Sequence, residues 1–160
     1  MHKPGLVTDI EFPFTSPEEL ETYLPYLITR LAHRWATDQD TALDEVGLQG
    51  AKMRVLASLS AFEELTINEL SILSVTEQST TSRTVEQLVT AGMVERKISS
   101  KDQRVRTVTL TDDGLTTLSG LAPTINDLYK NLISGVKKED LQTCVDVLGR
   151  ILHQVRKNEI

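Results

Sequence analysis

Residues 66–114 restrict the fold more than any other part of the chain. TINELSILSVTEQSTTSRTVEQLVTAGM carries two helical apolar periods, with only Ser74-Val75-Thr76 between them. So short a joint makes a tight turn. Ile67, Leu70 and Leu73 give the inward face of the first period; Thr81, Thr84, Val85 and Leu88 give that of the second, which runs from about Glu77 to Ala91. Gly92 follows, as glycine does past a helix C-terminus. Next comes VERKISSKDQRVRTVTL. Its Val94–Ile98 and Arg104–Leu110 runs are β-like, and Ser99–Gln103 makes a polar tip, so a hairpin is expected. Thr111-Asp-Asp-Gly then opens another helix.

The flanks are helical. Residues 1–15 hold Pro4, Gly5 and Pro13 without a period and read as an irregular arm whose Phe12 and Phe14 would pack on a partner. Ser16-Pro17-Glu18-Glu19 is a helix start, with Ser as cap, Pro in the first turn and Glu at the capping-box position. Leu20, Leu24, Leu27, Ile28, Leu31 and Trp35 continue it, and Pro25 should kink it. Residues 38–47 are polar and read as a turn or short helix. A helix over about 49–59 turns Ala51, Val55, Leu56 and Leu59 inward. After Thr111, a long helix carries Leu115, Leu118, Ala122, Ile125, Leu128 and Leu132 and should bend at Pro123; Gly135 ends it. Leu141, Cys144, Val145, Leu148, Ile151, Leu152 and Val155 form the apolar stripe of a last helix. The expected fold is mostly α with a small β-hairpin wing (α+β). It is a winged helix-turn-helix over 48–111, flanked by dimerisation helices over 16–47 and 112–160.

Charge placement suits DNA reading. The net charge is −6, which opposes phosphate binding taken as a whole. Yet residues 94–110 set five cations (Arg96, Lys97, Lys101, Arg104, Arg106) against Glu95 and Asp102, a local +3 that leaves −9 elsewhere. The basic part is the wing. At ~100° per residue, Gln78, Ser79, Ser82, Arg83, Glu86 and Gln87 point away from the apolar face of the helix after the turn. With Thr80, the small hydroxyls and amides of its first turns can bond phosphates or base edges without crowding a groove. Seven Ser, Thr and Gln residues between 76 and 84 are poor choices for plain helix solvation. Arg83 is the cation on that face and can reach guanine or phosphate. In the wing, Asp102 can fix Arg104 through paired hydrogen bonds, and a fixed guanidinium suits a narrow, electronegative minor groove.

Other classes fit less well. No apolar run approaches ~18 residues, and no basic-then-apolar leader opens the chain, so a cytoplasmic protein without a membrane is expected. The single cysteine excludes an internal disulfide framework. Cys144 and His153, nine apart on one helix, lie ~180° around it and form no dyad. His2, His33 and His153 lack metal-ligand spacing, and there is no phosphate loop or GxSxG element, so neither an enzyme, a metal nor a cofactor is expected. Cys144 reads as a small buried core residue. Two alternatives stay open: a winged helix used for protein contact, and a cysteine-based redox sensor.

The chain resembles the MarR family, the multiple-antibiotic-resistance regulators. Leu48–Leu59 (LQGAKMRVLASL) resembles the family helix ending in VLxxL, and Asn68-Glu69-Leu70-Ser71 its ELA segment. Ser79-Thr80-Thr81-Ser82-Arg83 resembles STVSR, and Gly92-Met93-Val94-Glu95-Arg96 resembles GLVER. Asp102-Gln103-Arg104, Val108-Thr109-Leu110-Thr111 and Gly114 match DxR…VxLTxxG. Thr76 stands where Leu is usual, Glu77 where Asp or Ser is usual, and Lys52-Met53 replace Gln-Trp. The resemblance implies a homodimer with interleaved outer helices, bound to palindromic double-stranded DNA as a repressor. It also implies release by a small effector such as a phenolic or aromatic acid, with Arg30, His33 and Arg54 as polar candidates at the junction of the two parts.

Overall fold

Ser16 Oγ accepts a hydrogen bond from the Glu19 amide, and Pro17 fills the first turn, so α1 (Pro17–Thr22) begins where its sequence places it. The computed structural model describes residues 12–48, 50–99, 102 and 104–155. The chain breaks at Tyr23 and restarts as α2 (Leu24–Leu43). Pro25 lies in the first turn of α2, where a missing N–H costs nothing; it divides two helices instead of kinking one. α2 also runs on through residues expected to leave the helix at 38. Thr37 and Thr41 return their hydroxyls to the carbonyls of His33 and Thr37 at 3.0 and 2.9 Å, so these polar residues are satisfied inside it. One 3-10 turn, Asp44–Val46, follows.

α3 (Ala51–Ala61), α4 (Ile67–Leu73) and α5 (Gln78–Thr90) enclose the core. Thr66 caps α4 in a complete capping box, its side chain accepting from the Glu69 amide while the Glu69 carboxylate accepts from the Thr66 amide at 2.7 Å. Val55, Leu56, Leu59, Leu70, Val85, Leu88, Val94 and Val108 are at most 4% exposed and form one cluster with Leu48 and Leu65. Full burial of such a side chain contributes roughly 1.5–3 kcal/mol, so this cluster fixes how the three helices meet.

The hairpin pairs β1 (Val94–Ile98) with β2 (Arg106–Leu110) in antiparallel register, Val94 opposite Leu110 and Ile98 opposite Arg106. β2 starts two residues later than expected. The Asp102 carboxylate accepts from the Arg104 amide at 2.9 Å and the Asp102 carbonyl accepts from the Val105 amide at 2.9 Å, so Arg104 belongs to a turn. Leu65 bridges the free edge of β2 through two backbone bonds with Val108, of 3.1 and 2.8 Å. Thr111 then caps α6 (Asp112–Leu132): its Oγ1 accepts from the Gly114 amide at 3.0 Å and donates to the Gly92 carbonyl at 2.6 Å. A β-carbon at Gly114 would collide with the Met93 carbonyl oxygen, which explains the glycine of the LTxxG pattern.

α7 (Lys138–Val155) is the last described element and has no buried residue. Among the described residues no element packs extensively against it. Cys144 is therefore exposed, contrary to the buried position expected of it; its stripe is apolar but uncovered. Phe14 packs at a tilt against Tyr23 (ring centroids 5.2 Å apart) while Phe12 stands 85% exposed; the arm before residue 12 lies outside the described residues. No helix among the described residues is long and apolar enough to cross a membrane.

Candidate nucleic-acid interface

α4, the three-residue turn and α5 place the polar face of α5 outward. Thr81, Thr84, Val85 and Leu88 are buried against the core. Gln78, Ser79, Thr80, Arg83, Glu86 and Gln87 are exposed, and Ser82 is half-exposed. Glu77 occupies the N-cap of α5 without a side-chain capping bond, so it leaves the first-turn N–H groups to outside acceptors. Arg83 forms no ion pair among the described residues.

The wing stands beside this face. Arg104 Nε and Nη2 donate to the two Asp102 carboxylate oxygens at 3.2 and 3.1 Å, the paired geometry its spacing suggested. These bonds hold the Asp102 carboxyl below its ordinary value of 3.8 and raise the Arg104 guanidinium above its usual range. Arg104 is 90% exposed, so the carboxylate aims the guanidinium without hiding it. The other cations differ. Arg96 pairs with Glu86 of α5 at 2.8 Å, and Lys97 pairs with Glu95 at 2.7 Å. Arg106 is exposed on β2. Lys101 lies outside the described residues.

Glu64 ties the wing to the core, and sequence reasoning missed it. Its carboxylate accepts from Ser99 Oγ at 2.9 Å and Thr107 Oγ1 at 3.1 Å, one residue from each arm of the hairpin. Those partners are 35 and 43 residues away, beyond any local pattern. The Arg96–Glu86 pair was equally invisible, because it depends on how β1 lies against α5.

The three ligand candidates have separate surroundings. Arg30 donates to the Tyr26 hydroxyl at 3.3 Å and lies over its ring, 5.5 Å from the centroid. His33 is exposed on α2. Arg54 Nε donates to the Ser74 carbonyl at 2.6 Å. None of them lines the 620 Å³ cleft between α2 and α6, whose walls include Arg34, Trp35, Asp38, Leu128, Asn131 and Leu132.

Comparisons with known proteins agree with this architecture. The sequence pattern of the MarR family matches residues 46–105. A MarR family transcriptional regulator from Silicibacter pomeroyi is 47% identical in sequence; the match covers 92% of this chain and 99% of that one, with a TM-score of 0.88. A second MarR family regulator from the same organism is 35% identical over 88% of this chain and 95% of that one, with a TM-score of 0.81. The HTH-type transcriptional repressor IacR of Pseudomonas putida is 24% identical over 81% of this chain and 78% of its own length. A helix-turn-helix with an exposed polar reading face, a basic wing at its side and these relatives make the chain a member of the MarR family of DNA-binding transcriptional regulators.

Proposed function

We propose that this regulator binds a pseudo-palindromic operator as a homodimer and acts as a repressor by occupying it. In this reading residues 48–111 are the DNA-binding lobe, and 16–47 with 112–160 the dimerisation part. α5 enters the major groove, with Gln78, Ser79, Thr80, Ser82, Arg83 and Gln87 meeting base edges and phosphates. The wing lies along the neighbouring backbone and minor groove, with Arg96, Lys97, Lys101, Arg104 and Arg106 as cations and Asp102 orienting Arg104.

The observation that carries the dimer is the uncovered apolar surface of the outer helices. Leu27, Ile28 and Leu31 of α2, Tyr129 and Leu132 of α6, and Val145, Leu148, Leu152 and Val155 of α7 are between 37% and 65% exposed. Large apolar side chains left open in such number on three helices mark an interaction surface. Two-fold symmetry then calls for half-sites one helical turn, ~34 Å, or a multiple of it apart. Selection of bound duplexes from random DNA, with light scattering on the same protein, tests the reading. A two-fold sequence motif and twice the monomer mass are expected; selection of a single asymmetric half-site would overturn it. Repeating the selection with phenolic and aromatic acids tests the effector that family membership suggests. A chain that shifts no DNA at low salt would be a protein-contact winged helix instead.

A further inference from the structure

We infer that Arg54, Ser74, Thr76 and Thr81 form a hydrogen-bonded pin that sets the angle of α5 and thereby the discrimination between target and random DNA. The inference rests on α5 being the reading helix. The turn between α4 and α5 is held by no apolar side chain of its own. Ser74 is fully buried, Thr76 is half-buried, and Val75 is 81% exposed at φ +53°. A β-branched residue in that region is strained and stays there only when its surroundings hold it.

Hydrogen bonds do the holding. Ser74 Oγ donates to the Leu70 carbonyl at 2.6 Å. Thr76 Oγ1 lies 2.9 Å from Ser74 Oγ and 2.7 Å from Thr81 Oγ1. The Glu77 carbonyl lies 3.1 Å from Thr81 Oγ1 and already accepts the Thr81 amide at 2.9 Å. Three hydroxyl protons face four contacts, and the three shortest contacts use them in one direction: Thr81 to Thr76, Thr76 to Ser74, Ser74 to the Leu70 carbonyl. Bonds aligned in this way polarise one another. Arg54 of α3 then closes the pin from outside through its charge-assisted bond of 2.6 Å to the Ser74 carbonyl.

Direction separates this pin from ordinary packing. Apolar contact tolerates rotation, whereas a hydrogen bond weakens steeply as its angle departs from linear. At a 1.5 Å rise per residue, a 10° error at the start of α5 moves the backbone at Gln87 by roughly 2 Å, enough to break a base contact. Phosphate attraction is long-ranged and forgives such an error. Arg54, Ser74, Thr76 and Thr81 are thus positioning residues.

The test compares the full-length parent with Thr76→Val, Thr76→Ser and Arg54→Met. Affinity is measured on the duplex the parent selects and on a scrambled duplex of equal composition, and amide exchange at Thr76 and Thr81 is followed without DNA. Thr76→Val should weaken binding to the selected duplex about five- to tenfold and speed exchange at both amides, as loss of the two hydrogen bonds of Thr76 Oγ1 implies, while the scrambled duplex changes less than about twofold. Thr76→Ser should restore both readouts. Equal losses on both duplexes, no loss at all, or a Thr76→Ser as impaired as Thr76→Val would overturn the pin. Should Thr76→Val fail to fold by circular dichroism, Arg54→Met is held to the same outcomes. Should the parent select no sequence, the assignment of α5 falls, and the pin stands or falls on the exchange rates alone.

Discussion

At the scale of single residues, Gly114 shows how a short motif can be read as geometry. Thr111 bonds both the Gly114 amide and the Gly92 carbonyl, drawing the start of α6 onto the end of α5. The space left for residue 114 ends at the Met93 carbonyl oxygen. Backbone cannot yield as a flexible side chain does, so Gly114→Ala should cost about 1–3 kcal/mol, as overpacking does. Urea unfolding measures it, and an unchanged midpoint would mean that α6 can shift freely. Asp102 gives a second check. Its carboxyl is depressed by the side-chain bond from Arg104 and then by that residue's amide. A depressed acid contributes above its unfolded pKa and loses the contribution as pH falls through the folded value. The pair is therefore intact at neutral pH and fails only below the ordinary carboxylate range. Carbon-detected NMR titration should place Asp102 below 3.8, and Arg104→Ala should return it towards that value.

At the scale of elements, the proposed DNA interface divides the work between the wing and α5. α5 carries Arg83 and Glu86 on its exposed face, so phosphate attraction falls mainly to the wing. Arg104→Ala should weaken selected and random DNA alike and flatten the salt dependence by about one unit of slope per protomer, about two for the homodimer. Asp102→Ala should do part of the same damage although it removes a negative charge, because the guanidinium it aims would then move freely. A double-mutant cycle decides the matter: additive effects, or tighter binding by Asp102→Ala, would reduce the wing to an unaimed cationic strap. The Arg96–Glu86 bridge predicts the reverse sign elsewhere. Glu86→Gln takes a carboxylate from the exposed face of α5 and frees Arg96, so affinity should rise and the salt slope steepen by about one unit per protomer, as a gel-shift salt series would show. These elements differ in how far the sequence disclosed them. Helix starts at Ser16 and Thr111 and the Asp102–Arg104 pair were legible because their partners lie within four residues. The break at Tyr23 was not, since Pro25 suits a first turn as well as a kink. Nor were Glu64, the Arg96–Glu86 bridge or the partner of Arg54, whose bonds span elements that only the fold brings together.

At the scale of the whole molecule, the part proposed as the DNA-binding lobe has its own core but the outer helices do not close over themselves. Val145, Leu148, Leu152 and Val155 recur at spacings of three, four and three residues, the seam of a helix that packs on another helix. That seam faces outward in the single chain, and Leu152 is 57% exposed. The apolar stripe of α7 was plain in the sequence; that nothing within the chain covers it was not, because periodicity reveals a face and not its partner. The exposure supplies a sharp test. If the seam is a protein surface open to water, Leu152→Glu costs little and changes nothing else. If a second copy covers it, the carboxylate is driven into an apolar contact and the dimer separates while each lobe keeps its core. Light scattering at micromolar concentration should then report the monomer mass with helix content retained. DNA binding should follow. Two half-sites on one duplex make the second contact intramolecular, so a monomer forfeits that gain and binds the full operator at least ~100-fold more weakly. It also meets about half the phosphates, so the slope of log affinity against log salt should fall to roughly half. A monomer that keeps the parent's full slope would show that one chain spans the whole site, and the two-fold architecture would have to be abandoned.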